Sequence, residues 1–287
     1  MNKIILFFLF STSLSAQIKG IVKDSITGEP IPYVSIWVEN KDIGTTTDEK
    51  GYFLLQLEDK NLNVVFSVLG HETKTVVSSK ISEVLLIQKT VQIPEVLIAT
   101  PSRLKQIEIG DVKKEFYLPE PQNIPWLFAR KFNLDKENLD IKYIKELIYF
   151  TKSEVENGIF RARVFEVNED GKPGEDLIQD EIIVKVKKGK HKTSVDVSKY
   201  NLQIPDNGII ICFESLLLEQ NVYFQEVYSS NHKNKAKVLN YAPHIGYFYK
   251  KDIESYNKRH GKWMCFNSEY NEKYKHPIPA INITLTN

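Results

Sequence analysis

The chain is 287 residues long, which exceeds one typical domain and supports two cores. Its 38 Lys and Arg residues nearly cancel 37 Asp and Glu residues, leaving a formal net charge of +1. No global field draws such a chain toward nucleic acid or anionic lipid, so nucleic acid is not an expected partner.

At the N-terminus one positive charge, Lys3, precedes the wholly apolar run 4–10, and residues 11–16 are small and polar apart from Leu14. This pattern reads as a secretory signal peptide over residues 1–16, cut before Gln17 or after Ser15. The apolar run falls short of the roughly 20 residues of a membrane span, and no later segment approaches that length. No cysteine follows it, which argues against a lipid anchor. The chain is therefore expected to be exported, with no transmembrane segment after cleavage.

The block 20–57, GIVKDSITGEPIPYVSIWVENKDIGTTTDEKGYFLLQL, carries the clearest fold signal. Ile18, Gly20 and Val22 alternate with Lys19, Ile21 and Lys23, the period of a strand with one buried face. A turn follows at residues 24–28, where Asp24 and Ser25 can bond nearby amides and Gly28 can take a positive φ. Pro30 and Pro32 remove two backbone donors, which places them at the start of an edge strand. Val34, Ile36 and Val38 then point inward. Residues 40–44 turn again, residues 45–47 form a short β-branched strand, and residues 48–51 make a hairpin loop with Gly51 left-handed. Phe53, Leu55 and Leu57 lie on the returning strand, and residues 63–70 and 83–88 read as further strands.

Here the run G-x-V-x-D-x-x-T-G-E-P-I-P, then V-x-I-x-V, then G-T-T-T-D-E-K-G-Y-F resembles the carboxypeptidase regulatory-like domain over residues 17–99. That family implies a seven-stranded transthyretin-like or Ig-like sandwich without catalysis of its own. It accompanies metallocarboxypeptidases and, in Bacteroidetes, envelope proteins and TonB-dependent receptors. The resemblance implies a periplasmic, outer-membrane-associated or cell-surface location. His71, where relatives often carry an aromatic, reads as a surface turn residue. Residues 93–98, IPEVLI, are similar to the stretch leading into the receptors' plug and barrel. Too few residues remain here for a barrel of long amphipathic strands, which excludes a transporter and retains an accessory of one. Residues 100–114 read as a linker or an edge strand.

Residues 115–287 are again β-rich. Eight apolar or alternating runs, at 143–151, 159–167, 181–187, 208–214, 221–229, 246–250, 262–267 and 280–286, predict an antiparallel sandwich or jelly roll, so the whole chain is expected to be all-β. Only 123–132 and 214–220 have room for a short helical turn. Phe160, Ala162 and Val164 should face the core, leaving Arg161 and Arg163 on the solvent side. The loop 171–174 and the D-x-S-x-Y turn at 196–200 are similar to an uncharacterised sandwich of Bacteroidetes envelope proteins, which implies no activity. Cys212 in IIICFE and Cys265 in WMCFN are the only cysteines. Two accounts stay open for them: a disulfide, which export permits, or two buried free thiols on strands.

No catalytic constellation emerges. None of His71, His191, His232, His244, His260 and His276 begins a His-x-x-Glu zinc motif, and no nucleophile elbow, Walker loop or dinucleotide fingerprint is present. His232, His244, His260 and His276 could in principle converge on a metal, but scattered loop histidines are usually solvated, so no metal, cofactor or catalytic residue is expected. Pairs such as Glu169 with Asp170 and Glu175 with Asp176 sit in turns as solvated charge. The strongest candidate surface is residues 232–262, with eight basic and two acidic side chains interleaved with aromatics. Tyr241, Tyr247, Tyr249 and Trp263 are the candidate ligand contacts, able to stack on sugar rings beside a basic rim. The alternative is that these aromatics fill the core. The expected function is a non-enzymatic envelope binding protein, its partner a polysaccharide or an envelope protein. An accessory of a TonB-dependent uptake or secretion complex is the second expectation, and a hydrolase with a loop-built site the third.

Overall fold

A computed structural model of the chain describes residues 16–57, 59, 61–89, 105–110, 112, 124–134, 141–228, 235–266 and 276–287. The expected signal sequence up to residue 15, the IPEVLI segment and His232 lie outside the described residues. Among those described, no helix is long and apolar enough to cross a membrane.

The first sandwich is built from β1 (Ala16–Asp24), β2 (Ser35–Val38), β3 (Gly44–Thr46), β4 (Tyr52–Leu57), β5 (Asn63–Ser67), β6 (Lys74–Val77) and β7 (Glu83–Leu86). One sheet has the order β4-β1-β7 and the other β3-β2-β5-β6, with only β1 and β7 running parallel. The period-two pattern sends Val22, Val34, Ile36, Val38, Phe53, Leu55 and Leu57 into the space between the sheets. Phe53 meets Phe66 there edge to face, at 5.6 Å between ring centroids. Turn chemistry sets the register. Asp24 Oδ1 accepts the amides of Ile26 and Thr27, both at 2.8 Å, before Gly28 takes φ 72°. Asp48 Oδ1 does the same for Lys50 and Tyr52 around Gly51, φ 74°.

Two expectations need correction here. Pro30 makes only an isolated bridge to Lys23, and the strand begins at Ser35. That strand, β2, is interior to its sheet, between β3 and β5, so the prolines precede it rather than open an edge strand. His71 is half-buried, with Nε2 3.1 Å from Asp24 Oδ2 and Nδ1 3.1 Å from the Leu69 carbonyl, so it braces the first turn.

The second sandwich contains β8 (Gln106–Ile109), β9 (Leu127–Phe132), β10 (Tyr143–Ser153), β11 (Gly158–Val167), β12 (Pro173–Asp176), β13 (Ile182–Val186), β14 (Gly189–Asp196) and β15 (Ile209–Ser215). It continues through β16 (Val222–Tyr228), β17 (Lys235–Tyr241), β18 (His244–Ile245), β19 (Tyr247–Lys250), β20 (Ser255–Arg259), β21 (Lys262–Phe266), β22 (His276–Pro279) and β23 (Ile281–Thr286). The sheet β14-β10-β23-β8, joined by β18, packs on the sheet β12-β11-β15-β9-β20-β21, joined by β13. Leu147, Tyr149, Ile281 and Ile283 of the first sheet meet Phe160, Ala162, Val164, Ile211 and Phe213 of the second. Tyr149 meets Phe160 edge to face at 4.9 Å, Phe160 stacks on Phe213 at 4.4 Å, and the Tyr149 hydroxyl donates to the Cys212 carbonyl at 3.1 Å. Strand β8, in the span read as linker or edge strand, pairs at the sheet edge with β23.

Further corrections follow from what the second sheet does with its outer face. Residues 127–132 form strand β9 rather than helix, because both edges are taken by β15 and β20. Within 214–220, the strand β15 runs to Ser215 and the only helical feature is a 3₁₀ turn at Glu219–Asn221. Arg161 and Arg163 do point away from the core, yet Arg161 is 0% exposed because the first sandwich docks on that face. Cys212 and Cys265 are both free. Cys212 lies opposite Ala129, Ala129 opposite Tyr256, and Tyr256 opposite Cys265. Three strand spacings of about 4.8 Å separate them, beyond the roughly 7 Å a disulfide tolerates between Cα atoms.

Candidate functional site

The outer face of β11 and β15 places three long charged side chains, Arg161, Arg163 and Glu214, side by side, since Arg161 pairs with Glu214 across the ladder. Glu214 Oε2 lies 3.1 Å from Arg161 Nη1 and 3.4 Å from Arg163 Nη1, and its Oε1 accepts the hydroxyl of Ser35, from the first sandwich, at 2.7 Å. Arg161 Nη2 donates to the Tyr33 carbonyl at 2.7 Å and pairs with Glu181 at 3.0 Å, while Arg163 Nε donates to Asp176 at 2.9 Å. Burial opposes the Glu214 charge, but the two guanidiniums outweigh it and hold its carboxyl down at about 2. Glu214 and both arginines are therefore fixed in their charged, hydrogen-bonded forms. The cluster ties the second sandwich to the first through Ser35 and Tyr33.

Three outlying contacts extend this joint. The Leu217 amide donates to Thr46 Oγ1 at 2.9 Å. At the tip of the β20–β21 hairpin, Arg259 Nε donates to Asp42 at 3.2 Å and stacks over Trp126 at 5.1 Å, while His260 Nε2 lies 3.0 Å from the Lys41 carbonyl. Part of the basic 232–262 stretch thus binds the neighbouring sandwich.

Beside this joint the two sandwiches leave a cleft of about 840 Å³. One wall is the outer face of β1 and β4, where Ile21 pairs with Tyr52 and Lys19 with Leu54. A Cβ at Gly20 would stand 2.7 Å from the Phe53 ring, so glycine lets that ring lie under the wall. Tyr52 is 55% and Leu54 43% exposed, apolar surface that the fold itself leaves uncovered. The opposite wall is Leu217, Leu218 and Glu219, then Val222 and Tyr241 at the base of the β16–β17 ribbon.

That ribbon is two-faced. Its register puts Val222 opposite Tyr241 and Phe224 opposite Leu239, making one apolar face that continues from the cleft, with Phe224 65% exposed. The other face is a buried polar network: Asn240 Nδ2 donates to the Tyr223 hydroxyl at 2.9 Å, and that hydroxyl lies 2.7 Å from His244 Nε2. Burial, with Lys152 adding to it against the pull of Glu154, pushes His244 down to about 4, so its ring is neutral within this network. Burial and then Glu154 raise Tyr223 to about 12, keeping it a donor.

Of the aromatic residues picked from sequence, only Tyr241 reaches the cleft. Tyr247 and Tyr249 contact one another edge to face at 5.6 Å on β19, with Tyr249 45% exposed. Trp263 packs at 5.6 Å against Phe165, with Lys258 Nζ over its ring. The four do not converge. The histidines have separate partners, His276 bonding the Ile253 carbonyl at 2.6 Å, and no cluster of three metal-ligating side chains occurs among the described residues. Sequence reasoning missed Tyr52 and Leu54; the outward turn of β4 was legible in the same alternation that placed Phe53 and Leu55 inside.

These sandwiches define an all-β protein whose first module has a known family. Residues 18–98 match the CarboxypepD_reg-like domain, so the N-terminal sandwich is a carboxypeptidase regulatory-like domain, a typically non-catalytic Ig-like fold. No curated protein matches the chain.

Proposed function

We propose that this chain is a non-enzymatic, exported binding protein of the cell envelope, with the cleft between its sandwiches as the ligand site. The observation that carries this reading is the cleft itself: a wide, apolar-walled groove to which both sandwiches contribute, beside a joint that holds them together. The exported location is supported by the signal-like N-terminus. The regulatory-like module supplies one wall and thus acts as part of the site as well as a scaffold.

The test is a Tyr52→Ala/Tyr241→Ala variant on arrays of polysaccharides and peptides. Retention of the wild-type ligand should fall at least about tenfold, as expected for two aromatic contacts, with the melting temperature unchanged. Equal retention by the variant removes the cleft as the site. Turnover of an array member, abolished by a single carboxylate substitution, would sink the non-enzymatic reading.

A further inference from the structure

The cleft is chemically polarised along its length. Through Asp48, Leu218 and Glu219 it continues into a second hollow of about 490 Å³, also lined by Tyr33, Glu49 and Lys50. Three carboxylates, Asp48, Glu49 and Glu219, stand there against one ammonium, Lys50. None of the three is ion-paired among the described residues, and only Glu49 is tied to a side chain, accepting the Tyr33 hydroxyl at 3.2 Å. Ile21, Tyr52, Leu54, Val222 and Tyr241 line the first hollow together with Lys19, Thr45, Thr46 and Ser82, and Leu218 lies where the two hollows meet.

We propose that the cleft takes a polypeptide segment of a partner protein that carries a basic side chain beside apolar ones. This rests on the cleft being the ligand site. The charge argues for the occupant: an anionic polysaccharide or a phosphate would meet unpaired carboxylates, whereas a Lys or Arg side chain would find complementary charge. Apolar groups along both walls suit alternate side chains of an extended chain, with the charged one set to the acidic end.

The experiment measures fluorescence anisotropy of labelled, terminally blocked octapeptides against the full mature chain. The probes are Leu-Thr-Leu-Thr-Leu-Thr-Lys-Arg, the same peptide ending Glu-Glu, and Ser-Thr-Ser-Thr-Ser-Thr-Lys-Arg. The first should bind about tenfold tighter than either other, the yield of several partly exposed charge pairs. The preference should shrink as salt rises from low to high. In Asp48→Asn/Glu49→Gln/Glu219→Gln, which keeps a carboxamide oxygen at position 48 for the hairpin amides, the Lys-Arg preference should collapse to less than about threefold. Failure of the first peptide to bind, no preference in the wild type, or a preference that survives the carboxamide variant overturns the inference. If the Glu-Glu peptide or an arrayed polysaccharide binds instead and loses binding in Tyr52→Ala/Tyr241→Ala, the cleft stands as the site and only the charge inference falls. If the Lys-Arg peptide binds but ignores that double variant, both fall.

Discussion

Arg161 sits on an alternation that by itself says solvent, and the reason it is buried belongs to a partner 128 positions away, the Tyr33 carbonyl. Its removal leaves the Glu214 charge inside with one guanidinium fewer. Arg161→Met should cost about 3 kcal/mol, the penalty of breaking a buried pair from one side. Arg161→Met/Glu214→Leu should cost less than the sum of its single changes. Denaturant midpoints at constant m-value would show this, and strictly additive midpoints would contradict the coupling. The pH dependence has a definite sign. Glu214 is held at about 2, below its ordinary 4.5, so its contribution is complete above that ordinary value and is lost as pH falls from 4.5 toward 2.

At the scale of elements, the β16–β17 ribbon is held down by His244 in its neutral form. A histidine depressed from 6.5 to about 4 stabilises the docked ribbon fully above 6.5 and loses that contribution as pH falls toward 4. At pH 5 the loss is on the order of 2 kcal/mol. Hydrogen exchange of ribbon amides, corrected for intrinsic rate, should therefore accelerate between pH 7.5 and pH 5 in the wild type and much less in His244→Gln. Equal acceleration in both would remove His244 as the cause. The elements also show what was legible in sequence. The first sandwich was readable because Asp24, Gly28, Asp48 and Gly51 mark turns between clean alternations. Strands such as β14, GKHKTSVD, and β20, SYNKR, lacked apolar runs because the ladder and their neighbours hold them, not their own hydrophobicity. The cleft was not legible at all: Tyr52 and Leu217 meet there only after two sandwiches dock.

For the whole molecule, the joint consists of a buried charge cluster, the Thr46 bond to Leu217 and the hairpin-tip contacts with Asp42. Separating the sandwiches would give up all of these contacts at once and uncover Ile159, Leu216 and Leu218, which pack against Tyr33, so the two should unfold in one step. Calorimetric and van't Hoff enthalpies should agree, and hydrogen exchange should show the same global opening energy in β2 and β15. Two resolved transitions would contradict a single cooperative unit. The lateral distance between Cys212 and Cys265 has a bearing on assembly. Both thiols stay reduced in the finished sheet, so the native state contains no bond that an oxidant must make. Under the proposed export, maturation would depend on the order in which strands find their neighbours, and any cross-link between these two cysteines would mark a chain that has missed its register.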